Sequence, residues 1–118
     1  MDKDRVDGAA KQVKGSIKEA LGKATGDTKT QAASVFAKIQ AALKDQGLTM
    51  GDVVKMTVFL GADPKTGKLE FAAMNSEYVK FFGTAEQPNK PARSAFQVAA
   101  LVAPGAALEV EVIAVKSK

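Results

Sequence analysis

The sequence contains no cysteine, no histidine and no tryptophan among its 118 residues. Without cysteine the chain cannot form disulfides, a thiolate nucleophile or a cysteine-ligated zinc site. Without histidine it lacks the commonest general base and the commonest metal ligand. Any acid–base chemistry must therefore use carboxylates, lysines, the single tyrosine Tyr78 or bound water.

Arginine is almost as scarce, because Arg5 and Arg93 are the only two in a chain with a net charge of +4. A nucleic-acid surface favours arginine and exposed aromatic residues, so we expect no nucleic-acid partner. No apolar run approaches the roughly 20 residues of a membrane span, and the charged start MDKDRVDG is unlike a secretory signal. We therefore expect a cytoplasmic protein with no membrane partner.

Residues 1–30 differ from the rest, because they are rich in lysine and glycine. Their apolar residues recur at spacings of three and four, which predicts a thin amphipathic helix. The stripe consists of Val6, Ala10, Val13, Ile17 and Leu21. Three glycines spaced seven apart weaken this helix, each by about 1 kcal/mol relative to alanine.

From residue 28 the pattern predicts one α+β domain. Helices are expected over residues 28–46 and 69–82, and strands over residues 52–60, 94–101 and 107–116. The last two strands are separated by a turn with Pro104 and Gly105, so we predict that they form an antiparallel hairpin. Helices would then cover one face of a mixed sheet.

Arg93 is the first candidate for a functional residue, because it stands where a proline-containing loop enters a strand. Its planar guanidinium can bind a carboxylate through two parallel hydrogen bonds, which lysine cannot reproduce. The alternative is a surface arginine, or one that is ion-paired with Glu109 across the hairpin.

Glu109 and Glu111 are the closest acidic pair on one strand face. Such a pair usually marks a solvated face, but here Ile113 and Val115 lie on the same face, and a carboxylate in that setting can transfer protons. Ser94 could donate a hydrogen bond to a ligand or only satisfy the backbone. Tyr78 and the phenylalanines at helical spacing are predicted to be core residues.

The run PARSAFQVAAL, followed after six residues by LEVEVIAV, resembles the signature of the RidA (YjgF-like) family of reactive-intermediate deaminases. Upstream, FAKIQAALKDQGLTMGDVVKMTVFL resembles the family's first helix and following strand, and FAAMNSEYVKFFG resembles its second helix. The resemblance covers residues 30–116.

This resemblance implies a chorismate-mutase-like α+β fold that assembles as a homotrimer with active sites in clefts between subunits. It implies hydrolysis of enamines and imines such as 2-aminoacrylate to 2-oxo acids and ammonia, with no metal or organic cofactor. By position, Arg93 would bind the carboxylate of a small 2-imino or 2-oxo acid, with Ser94 and Ala95 beside it. Glu109 would position or activate the attacking water.

The sequence departs from the family pattern in two places. Ala95 stands where well-known members often have cysteine, and the family's N-terminal β-hairpin has no counterpart. Residues 1–30 instead resemble CsbD-like stress proteins, so we divide the chain into a CsbD-like helical segment, 1–27, and a RidA-like domain, 28–118. The alternatives are a non-catalytic carboxylate-binding or stress-related protein with an incomplete pocket, or an unstable chain whose uncovered sheet edge aggregates.

Overall fold

The computed structural model describes residues 10–13 and 26–116. In chain order the elements are β1 (Ala10–Val13), α1 (Thr28–Asp45), β2 (Val53–Leu60), α2 (Phe71–Tyr78), β3 (Ala92–Gln97) and β4 (Leu108–Val115). A short 3-10 turn, Met50–Asp52, precedes β2. The predicted order of helix, strand, helix, strand and strand is confirmed from residue 28 onward.

Helix α1 begins and ends where its sequence signals lie. The Asp27 side chain accepts a hydrogen bond from the backbone N–H of Thr30, 2.9 Å away, and so caps the first turn. Gly47, with φ of +75°, ends the helix in the left-handed conformation that glycine adopts without strain. One face of α1 is fully buried against the sheet, through Ala32, Val35, Phe36, Ile39 and Leu43.

The four strands form one mixed sheet in the order β1-β4-β2-β3. β4 is antiparallel to both β1 and β2, whereas β3 is parallel to β2. On β4 the residues alternate between buried and half-buried, as the sequence predicted. The buried rows of β2 and β4 face the helices, and they include Met56, Val58, Leu60, Leu108, Val110 and Val112.

The predicted hairpin between the last two strands is wrong, because β2 lies between β3 and β4. The long connection over residues 98–107 passes the end of β2 instead of forming a tight turn. The Val98 N–H donates to the Leu60 carbonyl, and the Gly61 N–H donates to the Ala107 carbonyl, both at 2.9 Å. β2 and β4, the two strands with a row of fully buried residues, thus take the two central places and each pairs on both sides.

The predicted N-terminal helix is also wrong at residues 10–13, which form β1 at the edge of the sheet beside β4. The backbone of these residues supplies hydrogen bonds that the edge of β4 would otherwise lack. The remaining residues of that stripe, Val6, Ile17 and Leu21, lie outside the described residues.

Helix α2 is shorter than the predicted 69–82. After α2 the chain forms a tight turn. In this turn the Lys80 N–H donates to the Glu77 carbonyl, and the Phe81 N–H donates to the Tyr78 carbonyl.

The buried Glu77 carboxylate accepts from Lys29 of α1 at 2.6 Å and from Lys80 at 3.0 Å. Hydrogen bonds from these two ammonium groups hold the pKa of Glu77 below its ordinary value. The ion pair with Lys29 joins the two helices.

Asp63 is the most heavily bonded buried carboxylate in the described part of the chain. It accepts from the N–H and hydroxyl of Thr28, each at 2.7 Å, and from the N–H groups of Lys65 and Thr66. The Thr28 hydroxyl is the largest influence, and together these donors lower the pKa of Asp63 from 3.8 to about 2. The loop after β2 is thereby tied to the first turn of α1.

We expect the stability of the fold to decrease as the pH falls from 4 towards 2. Because the pKa of Asp63 is lower in the folded chain, its contribution is complete above pH 3.8 and is lost as the carboxylate is protonated near pH 2. Asp63→Asn should lower the free energy of unfolding at pH 7 by about 2 kcal/mol and flatten this pH dependence. Urea unfolding at several pH values measures both, with the exposed Glu86→Gln as control. An unchanged acid limb in Asp63→Asn would contradict this role.

Candidate active site

Two side chains of α2 and one of β3 meet at the open edge of the sheet. Asn75 and Tyr78 are three residues apart, so they lie on the same side of α2. Arg93 is in register with Met56 of β2, whose buried side chain faces the helices. Arg93 therefore extends from the edge strand towards α2.

The guanidinium of Arg93 is held by a hydrogen bond and by ring contacts. Its Nη1 donates to Oδ1 of Asn75 at 2.8 Å. Its Cζ lies 4.2 Å from the ring centroid of Tyr78 and 5.6 Å from that of Phe71. Stacking on an aromatic face is a typical arginine contact, and it leaves the edge of the guanidinium available for other hydrogen bonds.

Arg93 opens onto a pocket of about 430 Å³, which is at the small end of ligand-binding clefts. The described residues that line it are Asn75, Tyr78, Val79, Phe82, Gly83, Lys90, Pro91 and Arg93. Two of these are cations and none is acidic. A pocket with this charge favours an anion.

Tyr78 belongs to the hydrophobic core, as the sequence predicted, but its ring also lines the pocket. It packs edge-on against Phe36 and stacks on Phe82, with ring centroids 6.1 and 4.9 Å apart. Burial raises the pKa of Tyr78, and the nearby positive charge of Arg93 offsets part of that rise. The phenol therefore stays neutral near pH 7 and provides a fixed platform under the guanidinium.

Arg93 and Glu109 lie on opposite faces of the sheet within one chain. Glu109 of β4 is opposite Phe59 of β2, and Phe59 is opposite Phe96 of β3. Arg93 lies three residues before Phe96 on the same strand. Three residues correspond to about 10 Å along the strand and to a change of face, and two strand spacings add about 10 Å across the sheet. The alternative of an Arg93–Glu109 ion pair is therefore wrong for a single chain.

The other predicted site residues also divide between the two faces. Ser94 is exposed and shares a row with Thr57 and Glu111 on the face that carries Glu109. Ala95 lies on the helix side, where it is partly buried against the core. The structure thus brings Ala95 and Arg93 to one face, and Ser94 and Glu109 to the other.

Asn75 and Lys90 are pocket residues that the sequence did not indicate. Asn75 has no neighbouring motif that marks it, and Lys90 is one of many lysines. The described residues contain no group of three acidic, histidine or cysteine side chains placed to hold a metal ion. Within the same part of the chain, no helix is both long and apolar enough to cross a membrane.

Comparison with known proteins decides the family. The profile of the family described as Endoribonuclease L-PSP matches residues 5–116, nearly the whole chain. The TdcF protein of Escherichia coli, whose name places it with the reactive intermediate deaminases, is 38% identical over 96 residues. That match covers 81% of this chain and 69% of TdcF. The chain belongs to the RidA (YjgF-like) family.

Other RidA relatives agree with this assignment. A RutC family protein of Haemophilus influenzae is 38% identical over 100 residues, which are 85% of this chain and 72% of that protein. The crystal structure of E. coli TdcF with bound serine superposes with a TM-score of 0.66 at 36% identity, covering 79% of this chain and 68% of TdcF. The chorismate-mutase-like α+β fold predicted from the sequence is confirmed.

The RidA match begins at residue 5, well before the boundary at residues 27 and 28 that the sequence suggested. The chain also matches a UPF0337 protein of Xanthomonas axonopodis pv. citri, with 48% identity over 61 residues. This second match covers 98% of the UPF0337 protein and 48% of this chain. The division into two segments at residue 27 stays a prediction.

Proposed function

We propose that this protein hydrolyses reactive enamines and imines of the 2-aminoacrylate type to 2-oxo acids and ammonia. The observation that carries the proposal is Arg93, which Asn75 and Tyr78 hold at the wall of a small pocket without acidic lining among the described residues. The family relationship to TdcF supports the same chemistry. The substrate is a small 2-imino acid, and the bound product is the matching 2-oxo acid.

Arg93 binds the substrate carboxylate in this proposal. A guanidinium has five N–H donors, and Asn75 takes one through Nη1, so enough donors remain for a bidentate carboxylate. Ala95, on the same face, packs against the core and stands where the family often has cysteine. Ser94 lies on the face that carries Glu109, so its hydroxyl donor belongs to the Glu109 side of a substrate bound between subunits.

Glu109 activates the water in the proposed reaction. The enamine first tautomerises to the imine: its terminal carbon takes a proton from solvent, and its nitrogen gives a proton to solvent. Water then adds to the imine carbon while Glu109 accepts its proton, and the protonated Glu109 returns that proton to the nitrogen. The new hydroxyl group then gives its proton, by way of Glu109, to the nitrogen. The carbon–nitrogen bond breaks, ammonia leaves, and the carbon–oxygen bond becomes the carbonyl of the 2-oxo acid. Water is the only co-reactant, and no metal or organic cofactor takes part.

The two roles require more than one chain, because Arg93 and Glu109 lie on opposite faces of the sheet. We infer a homotrimer in which Arg93 of one subunit and Glu109 of the next flank one cleft. The helix-free face of the sheet supports such an assembly, because Phe96 is 47% exposed there and packs edge-on against Phe59 at 5.3 Å. Exposed aromatic pairs of this kind are typical of subunit interfaces.

Asn75 positions Arg93, so Asn75→Ala should weaken substrate binding more than it weakens the fold. Loss of one hydrogen bond to a charged group corresponds to about 1.5 kcal/mol, or roughly a tenfold rise in KM. Ser76→Ala, one residue along α2 and outside the pocket, is the control. A KM for Asn75→Ala equal to that of Ser76→Ala would contradict the positioning role.

A second candidate function is that of a non-catalytic carboxylate-binding or stress-related protein. The match to a UPF0337 protein favours it, together with alanine at position 95. In this alternative, residues 1–27 act as a CsbD-like segment and a 2-oxo acid binds at Arg93 without turnover. Both functions would be exercised in the cytoplasm.

One assay separates the two candidates. A serine dehydratase generates 2-aminoacrylate continuously, and ammonia release is followed with and without this protein. We expect acceleration that is proportional to protein concentration and unchanged by a chelator. Binding of 2-oxobutyrate in calorimetry without any acceleration would instead favour the non-catalytic candidate, and absence of both would exclude the two together.

A further inference from the structure

Lys90 gives the Arg93 pocket a second positive charge. It lines the same 430 Å³ pocket as Arg93, and no acidic residue lines that pocket among the described residues. Arg93 is hydrogen-bonded to the neutral Asn75, and neither cation has an ion pair with a described carboxylate. One monocarboxylate would therefore leave one of the two charges unbalanced.

Lys90 is exposed, and its stem lies against Gly83. A Cβ atom at position 83 would overlap Cε of Lys90, and it would lie 3.5 Å from both Cδ and Cγ. Gly83 has φ of +77°, which glycine adopts without strain. The absence of a side chain at Gly83 makes the space in which the Lys90 stem lies along the pocket wall.

The two cations suit two different anionic groups. The arginine fork fixes the orientation of the carboxylate beside the reacting carbon. Lysine is a compact point charge on a flexible stem, so it accepts a second carboxylate over a range of distances. The pocket volume leaves room for a chain longer than the three carbons of 2-aminoacrylate.

We propose that Lys90 selects 2-imino dicarboxylic acids of four or five carbons, with Arg93 on the carboxylate beside the imine and Lys90 on the distal one. This inference rests on the proposed function and adds its substrate class. The reaction is the same hydrolysis, in which imine and water give ammonia and a 2-oxo dicarboxylic acid. Lys90 is a specificity-determining residue and takes no part in the proton transfers.

Calorimetry with two acids of equal chain length tests this selection. 2-Oxoglutarate carries the distal carboxylate, and 2-oxopentanoate ends in a methyl group instead. At low ionic strength the parent protein should bind 2-oxoglutarate about five- to tenfold more tightly, and added salt should reduce the ratio. In Lys90→Met the ratio should fall to about one, because the lysine charge is its cause.

The control is Lys68→Met, which removes the same charge from an exposed loop position outside this pocket and should keep the parent ratio. A ratio near one in the parent protein, or an unchanged ratio in Lys90→Met, would overturn the role of Lys90. If the parent binds 2-oxoglutarate and 2-oxopentanoate equally tightly, only the inference about Lys90 fails. If it binds neither acid, the proposed function fails with it.

Discussion

Replacement of Arg93 by methionine is expected to lower kcat/KM for imine hydrolysis about a hundredfold. Two charge-assisted hydrogen bonds to the substrate carboxylate contribute about 3 kcal/mol together, which corresponds to that factor. Methionine keeps an apolar stem against the ring of Tyr78, so the fold should be retained. The coupled ammonia assay, run with purified variant and parent, measures the effect.

Arg93→Lys is the matched control for this prediction, because it keeps the positive charge and removes the planar fork. We expect an intermediate loss of about tenfold in kcat/KM, since a lysine cannot make the bidentate contact. Urea unfolding should show all three proteins folded in the assay buffer. Equal activity of Arg93→Met and the parent would remove the basis of the proposed site.

Replacement of Glu109 by glutamine should lower kcat about a thousandfold, which is within the usual range for loss of a general base. The substitution keeps the shape of the side chain and its half-buried place on β4. Because the amide cannot accept the proton of the attacking water, the loss should appear in kcat, while the affinity for a 2-oxo acid should change little. Steady-state kinetics and calorimetry separate the two quantities.

Glu111→Gln tests whether this role belongs to Glu109 alone. Glu111 lies two residues further along the same strand face, opposite Thr57. We expect this variant to keep kcat within about threefold of the parent, because general-base catalysis requires direct contact with the attacking water. If Glu111→Gln loses most of its kcat while Glu109→Gln stays active, the general base is Glu111 and not Glu109. Size-exclusion chromatography must show the same assembly for both variants.

The elements that the sequence predicted well are those whose signals are local. Helix α1 has a cap at Asp27, a glycine stop at Gly47 and a broad apolar face between them. β4 alternates with a period of two over its whole length. In both cases the periodicity and the end signals agree within one segment, so no distant contact is needed to assign them.

The errors concern pairing, which is not local. β3 and β4 follow each other in the sequence, yet each pairs with β2, which has neighbours on both edges. Residues 10–13 have a spacing that suits a helix, but they form β1 against β4. A weak local preference of this kind is readily overridden by hydrogen bonds to an open sheet edge.

The site was predictable in part for the same reason. Arg93 was indicated because it is one of only two arginines and stands at the start of a strand. Asn75 and Lys90 carry no such mark, and they reach the pocket only through the packing of α2 and the turn around Gly83. The sequence also could not show that Arg93 and Glu109 lie on opposite faces, because this follows from the register of three strands.

In the proposed assembly, each active site uses Arg93 from one subunit and Glu109 from another. The most direct measurement uses Arg93→Met and Glu109→Gln chains, each inactive alone. The two are unfolded together in equal amounts and refolded as mixed trimers, and the rate of ammonia release is then measured. In a symmetric trimer, about a quarter of the clefts should combine an intact Arg93 with an intact Glu109. We predict recovery of about a quarter of the parent rate. No recovery from mixed trimers, beside full recovery of parent chains refolded in the same way, would contradict the account.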